Sequence, residues 1–178
     1  SYPMSPDHDL DIAFTRLLAG PTDYHMGGFR AVPLSKWKPQ YTRPLMVSTR
    51  SHMLAMYIIL ESYLTMVADY PEAYEGQPGF EFIKQMPTVW DETKVPDAEV
   101  AKHLTIARRN GTDWFIGTIN NKDARTVKFN LDFLSPGSYT AEIYSDAADV
   151  AENPNHLIKK TITVTNKDVM TINLIAGG

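Results

Sequence analysis

Gly79-Phe80-Glu81-Phe82-Ile83-Lys84-Gln85-Met86-Pro87-Thr88-Val89-Trp90 is the stretch in which the chain changes character, and the reading of the fold turns on it. Up to Lys84 the apolar residues fall into short runs or helical spacing. After Pro87 they alternate with a period of two. A proline at the switch removes a backbone donor and closes the element before it. The sequence therefore divides into residues 1–86 and residues 87–178, halves of unlike pattern.

Backwards from the switch, Gly79 to Lys84 reads as a short helix, and Tyr63-Leu64-Thr65-Met66-Val67-Ala68-Asp69 as a buried strand closed by Pro71. From Ser48 to about Leu60 the pattern is helical: Ser48 or Thr49 can cap the first turn, and Leu54, Tyr57, Ile58 and Glu61 share one side. Residues 12–23 hold an apolar run closed by Gly20-Pro21, which fits a strand buried on both faces. Strand, helix, strand, helix is the order of parallel βα units. Two such units cannot close a (β/α)8 barrel, which takes roughly 200 residues or more. The first half is expected to be the last part of such a barrel. Its open strand edges and apolar helix faces lead to the expectation that the chain alone self-associates or binds the remainder of the barrel.

Forwards from the switch, Leu104 and Ile106, then Trp114, Ile116 and Thr118, alternate around the hairpin turn Asn110-Gly111-Thr112. Val127, Phe129, Leu131 and Phe133 alternate up to Ser135-Pro136-Gly137-Ser138, after which Tyr139, Ala141 and Ile143 supply an antiparallel partner. Ile162 and Val164, then Met170, Ile172 and Leu174 across Asn166-Lys167-Asp168, read as a last hairpin. These strands make an antiparallel β-sandwich or small barrel of about 90 residues. The fold class is α/β followed by all-β.

The composition removes several functions. Among 178 residues there is no cysteine, which excludes disulfides, thiolate nucleophiles, zinc ribbons and iron–sulfur sites. A net charge of -4 without a basic, aromatic-interleaved stretch excludes nucleic acid as an expected partner. Apolar runs such as Leu54 to Leu60 are too short to span a bilayer. The opening Ser1-Tyr2-Pro3 has no initiator Met and no signal-like region, so a natural start further upstream is expected.

Few residues form a chemical pattern. Asp7, Asp9 and Asp11 alternate like the start of a calcium loop, but Ile12 and Leu18 stand where that loop needs glycine and glutamate; an acidic lead-in to a strand is the expectation. The five histidines contain no metal-spaced pair, and His52 is expected as a helix residue. Asp23-Tyr24 follows the first expected strand and Asp69 the second. In a parallel barrel the carboxyl ends of strands carry the binding groups, so Asp23, Tyr24 and Asp69 are the candidate substrate-binding residues, with turn chemistry as the competing reading. Glu61 is expected to be a paired structural carboxylate, and Trp90-Asp91-Glu92-Thr93 a domain junction. Trp114 with Tyr139 and Tyr144 could form a sugar-stacking platform or simply pack a core. No catalytic and no metal-binding residue is assigned.

Phe14-Thr15-Arg16-Leu17-Leu18-Ala19-Gly20-Pro21-Thr22-Asp23-Tyr24, Thr49-Arg50-Ser51-His52 with Leu54-Ala55-Met56-Tyr57, Glu61-Ser62, Ala68-Asp69 and Pro87-Thr88-Val89-Trp90-Asp91-Glu92-Thr93 together resemble the carboxyl-terminal part of glycoside hydrolase family 97, a family of α-glucosidases and α-galactosidases. The sequence departs from that family at His25-Met26-Gly27, where Thr-Pro-Gly is usual, and at Met53, where a polar residue is common. The resemblance implies an amino-terminal β-sandwich, a catalytic barrel and a carboxyl-terminal β-domain. It also implies an α-glycoside or oligosaccharide substrate, and calcium held by glutamates that, like the acid catalyst, lie outside this chain. It further implies a periplasmic or extracellular setting in a Gram-negative bacterium. The chain alone is then expected to be inactive; the competing expectation is a non-catalytic carbohydrate-binding or structural β-sandwich.

Overall fold

The computed structural model describes residues 3–25 and 27–178; Ser1-Tyr2 of the expected upstream junction and Met26 of the departing tripeptide lie outside the described residues. The chain begins with helix α1, Pro6–Thr15, where sequence periodicity suggests an acidic lead-in and then a strand over 12–23. The start signals decide the matter. The Ser5 hydroxyl accepts from the His8 N–H, proline occupies the first turn, and Asp7 and Asp9 lie where the helix dipole favours acid. A short apolar run cannot by itself distinguish a buried strand from a helix. A 3-10 turn, Arg16–Ala19, completes the segment.

Strand β1, Arg30–Ala31, and strand β2, Leu45–Met46, pair in parallel. Helix α2, Arg50–Ile59, follows, capped by the Thr49 hydroxyl accepting from the His52 N–H. The strand expected over 63–69 is reduced to a single parallel bridge between Met66 and His25, and Tyr63, Leu64, Met66 and Val67 are exposed. One bridge satisfies too few backbone groups to hold an extended strand. Helix α3, Phe80–Gln85, lies where the sequence pattern puts it.

Beyond Pro87 the chain is antiparallel. Strands β3 (Glu92–Glu99), β4 (His103–Asn110) and β5 (Asp113–Asn120) form one sheet in that order, with Asn110 opposite Asp113 at the expected hairpin. The supposed domain-junction segment at Glu92-Thr93 is itself strand, and the register of β3 shifts between Lys94 and Asp97 around Pro96. Strands β6 (Arg125–Asn130) and β7 (Ser138–Asp146) do not pair with each other, contrary to the hairpin reading. Neither do β8 (Leu157–Thr165) and β9 (Val169–Leu174). Instead β6 pairs with β9 and β7 with β8. The link after β6 buries Leu131 and Leu134, so it passes through the core instead of folding back as a tight turn.

Two cores result. Val127, Phe129, Leu131, Leu134 and Val164 form one. The other surrounds α2 and gathers Leu10, Phe29, Met53, Ile58 and Ile59 with Leu104, Ile106 and Ile119 of the sheet. Gly117 permits the approach of helix to sheet: a Cβ there would lie 2.9 Å from the Ala55 carbonyl oxygen and 3.1 Å from the Ile58 Cβ.

Candidate functional site

The helix α2 is tied at both ends by groups from beyond Pro87. At its start the Arg50 N–H donates to the Pro154 carbonyl (2.8 Å), and the buried guanidinium donates to Phe29 O (2.7 Å), Pro78 O (2.9 Å) and Asn155 Oδ1 (2.8 Å) while lying 3.8 Å from the centre of the Phe29 ring. Burial lowers the Arg50 pKa to about 10. At its end Arg108 donates to Ile58 O (2.7 Å), Ile59 O (3.2 Å), Thr93 Oγ1 (2.8 Å) and Glu61 Oε2 (3.4 Å), so carbonyls that a helix leaves unpaired meet a cation. Glu61 is thus the paired carboxylate expected of it.

Around the parallel bridge of His25 with Met66, Tyr24 and His25 line a narrow crevice with Met56, Tyr57, Leu60, Ser62 and Thr65. Burial, with the Asp9 carboxylate beside it as the next cause, pushes the Tyr24 phenol well above its ordinary range. Asp9 also lies 3.0 Å from His52 Nε2, and both side chains are buried. His52 is the helix residue expected, but on a buried face and linked to α1. Asp23 is exposed. The Asp69 side chain is enclosed: Oδ2 accepts from the Phe29 N–H (2.9 Å), Oδ1 from the Tyr70 N–H (2.9 Å), and Oδ1 lies 3.6 Å from Arg30 Nη2. Tyr24 therefore enters the crevice, whereas Asp23 and Asp69 do not line it.

Because the segment before Asp23 is helix rather than strand, Asp23 and Tyr24 precede the parallel pair, and the residues that follow it are Gly27 to Ala31 on one side and Asp69 on the other. Sequence reasoning assigns no role to Arg30, Arg50 or Asn155. Asn155, from the β7–β8 link, accepts from the Ala31 N–H and donates to the Ala31 carbonyl, both at 2.8 Å. The only sequence signal at Asn155 is the proline before it, and that does not reveal a partner 124 positions away.

Among the described residues no three His, Asp or Glu side chains are grouped to hold a metal ion. Asp7 accepts from the Lys122 N–H and Asp9 faces His52, so the acidic alternation serves helix α1 and its contacts and does not converge as a calcium loop would. The three candidate platform rings are divided between cores. Trp114 meets Phe133 at 4.8 Å and packs with Tyr139 on the Val127–Phe129 core, while Tyr144 meets Phe82 at 5.2 Å against the core around α2. No helix is long and apolar enough to cross a membrane among the described residues.

Known proteins share this arrangement. Residues 89–178 match the family model described as Glycosyl-hydrolase 97 C-terminal, oligomerisation. The chain is 31% identical over 172 residues to a retaining alpha-galactosidase of Bacteroides thetaiotaomicron, covering 96% of the chain and 26% of that protein. It is 27% identical over the same length to a probable retaining alpha-galactosidase of Streptomyces bingchenggensis, covering 96% of the chain and 24% of that protein. A Glycoside Hydrolase Family 97 enzyme from Pseudoalteromonas sp. strain K8, solved with panose, superposes with a TM-score of 0.85 at 33% identity over 98% of the chain and 28% of the enzyme. The chain thus spans about a quarter of the length of the relatives it matches.

Proposed function

The chain belongs to glycoside hydrolase family 97, and on that basis we propose that it forms the carboxyl-terminal end of an exo-acting α-glycosidase removing terminal α-galactosyl or α-glucosyl residues. In this reading residues 1–86 supply the last βα units of a (β/α)8 barrel and residues 87–178 a β-domain. The observation that carries it is the parallel pair His25–Met66 with α2 lying between its members in sequence. Parallel neighbours require a crossover, and a helical crossover is the repeating unit of the barrel.

The naming of two relatives as retaining alpha-galactosidases, and the solution of another with panose and with acarbose, support an α-linked sugar as substrate class. Hydrolysis needs one carboxyl group to protonate the leaving oxygen and a second to attack the sugar carbon or activate water, about 5–5.5 Å away in a retaining enzyme. Both are assigned to the part of the enzyme outside these residues, as are the glutamates for calcium. Asp23, Tyr24 and Asp69 are assigned to the sugar-binding rim, Asp69 by holding the segment that follows His25. Contact with the remaining barrel or with further copies covers the exposed Tyr63–Val67 segment, a reading in keeping with a family description that includes oligomerisation. The proposed setting is periplasmic or extracellular.

Assays on p-nitrophenyl α-galactoside and α-glucoside test the reading. The full-length enzyme should turn over at least one of them and the 178-residue chain neither. Turnover by the chain alone, or none by the full-length enzyme, overturns it.

A further inference from the structure

We propose that His25 is a substrate-binding residue of this enzyme, its Nε2–H donating to a hydroxyl group of the α-linked sugar; the inference rests on the α-glycosidase reading above and goes beyond the rim residues assigned there. In a parallel barrel the helices lie outside, and substrate meets the side chains that point inward at the carboxyl ends of the strands. The inward side is therefore the one turned away from α2.

Exposure alternates along the segment that enters the bridge: Pro21, Asp23 and His25 are exposed, Thr22 and Tyr24 half-buried. That is the period of an extended strand, in which neighbours face opposite sides. Tyr24 packs on the core around α2 and sits in the crevice with Met56 and Tyr57 of that helix, so it backs the strand from the helix side. Asp23 and His25 face the other way, and His25, at the bridge itself, lies nearer the carboxyl end. The partner segment agrees: Thr65 lines the crevice, whereas Met66, bridged to His25, is exposed. His25 borders the crevice as well without being covered by it.

The imidazole is oriented before any ligand arrives. The Gly27 N–H donates to its Nδ1 at 3.1 Å, which leaves the proton of the neutral ring on Nε2. The turn that brings this N–H back to the ring depends on glycine: Gly27 has a φ of 79°, a conformation that residues with a side chain rarely adopt. No described residue accepts from Nε2. A single donor held in this way suits the oxygen of a neutral hydroxyl without a large ordering cost. The exposed Met66 beside it offers apolar surface to the C–H face of a sugar ring, and a few placed polar groups on an apolar lining are the usual make-up of a small-ligand site.

The test compares kcat and KM of full-length wild type, His25→Asn and His25→Gln on p-nitrophenyl α-galactoside and α-glucoside, with thermal unfolding alongside. Asparagine puts its amide oxygen where Nδ1 accepts from Gly27 but has nothing at Nε2, whereas glutamine carries an amide N–H out to the Nε2 position. His25→Asn should therefore unfold like wild type and yet lose about fivefold to fifteenfold in kcat/KM, the upper range of one neutral hydrogen bond. His25→Gln should return to within about threefold of wild type. A His25→Asn enzyme within about twofold of wild type overturns the assignment, and so does a glutamine variant no better than the asparagine one. An asparagine variant that does not fold makes His25 a support of the turn at Gly27 and overturns it too. Wild type inactive on both glycosides overturns the α-glycosidase reading and this assignment with it, whereas active wild type with an indifferent His25→Asn overturns this assignment alone.

Discussion

Val127, Phe129, Leu131, Leu134 and Val164 fill one core with hydrocarbon alone, whereas the core around α2 closes over Arg50, His52 and Arg108 together with Leu10, Met53, Ile58 and Ile59. The first is local to the β-domain. The second draws on segments from α1 to the β7–β8 link. Hydrocarbon cores need volume and pattern, and they tolerate exchange of similar shapes. A core that buries cations needs particular acceptors at particular places, since removing one partner strands the other. Alternation therefore specifies the inner face of the β-domain, and individual residues specify the helix–sheet junction.

Four substitutions put that contrast to the test. Arg108→Ala should have the largest effect, about 3–5 kcal/mol by urea unfolding, because the Ile58 and Ile59 carbonyls lose a buried charged donor. Next comes Gly117→Val, whose branched side chain would be forced into the Ala55 carbonyl and Ile58; roughly 2–3 kcal/mol of overpacking is expected, with the helix displaced from the sheet in a crystal structure. Phe129→Leu, an exchange inside the hydrocarbon core, should cost only about 1–1.5 kcal/mol; a loss as large as that of Arg108→Ala would erase the distinction between the cores. Asp23→Ala lies outside both cores and should shift unfolding by less than about 0.5 kcal/mol. In the full-length enzyme it should lower kcat/KM by an amount equivalent to roughly 1–3 kcal/mol, and an unchanged value would return Asp23 to turn chemistry.

What can be read from the sequence follows the same division. The β4–β5 hairpin, α2 with its Thr49 cap, and α3 are legible because their signals are local: a turn at Asn110-Gly111, a capping hydroxyl and a helical period. The pairing of β6 with β9 and of β7 with β8 is not. Alternation says which residues face inward but not which strand lies alongside, and the turns at 135–138 and 166–168 point to the nearer partner. Residues 12–23 mislead because an apolar run fits both periods, and the decisive Ser5-Pro6 start lies upstream of the run. For the candidate site, Tyr24 stands after an apolar run and lies in the crevice, but the sequence does not reveal that Asp69 is held by the Phe29 N–H or that Asn155 holds Ala31, because those partners lie far along the chain.

The grip on α2 also sets an order of events during synthesis. The helix leaves the ribosome well before its fastenings: Arg108 follows Ile58 by 50 positions, and Asn155 follows Arg50 by 105. At the usual pace of about 5–20 residues per second, the Arg50 end waits on the order of 5–20 s for the loop that secures it. During that interval the isolated ten-residue helix is too short to persist in water, and it has neither the sheet against its apolar face nor Arg108 at its end. The nascent chain thus passes through a window in which Met53, Ile58 and Ile59 are available to chaperones or to other unfinished chains, and that window closes only when the β7–β8 link has been translated.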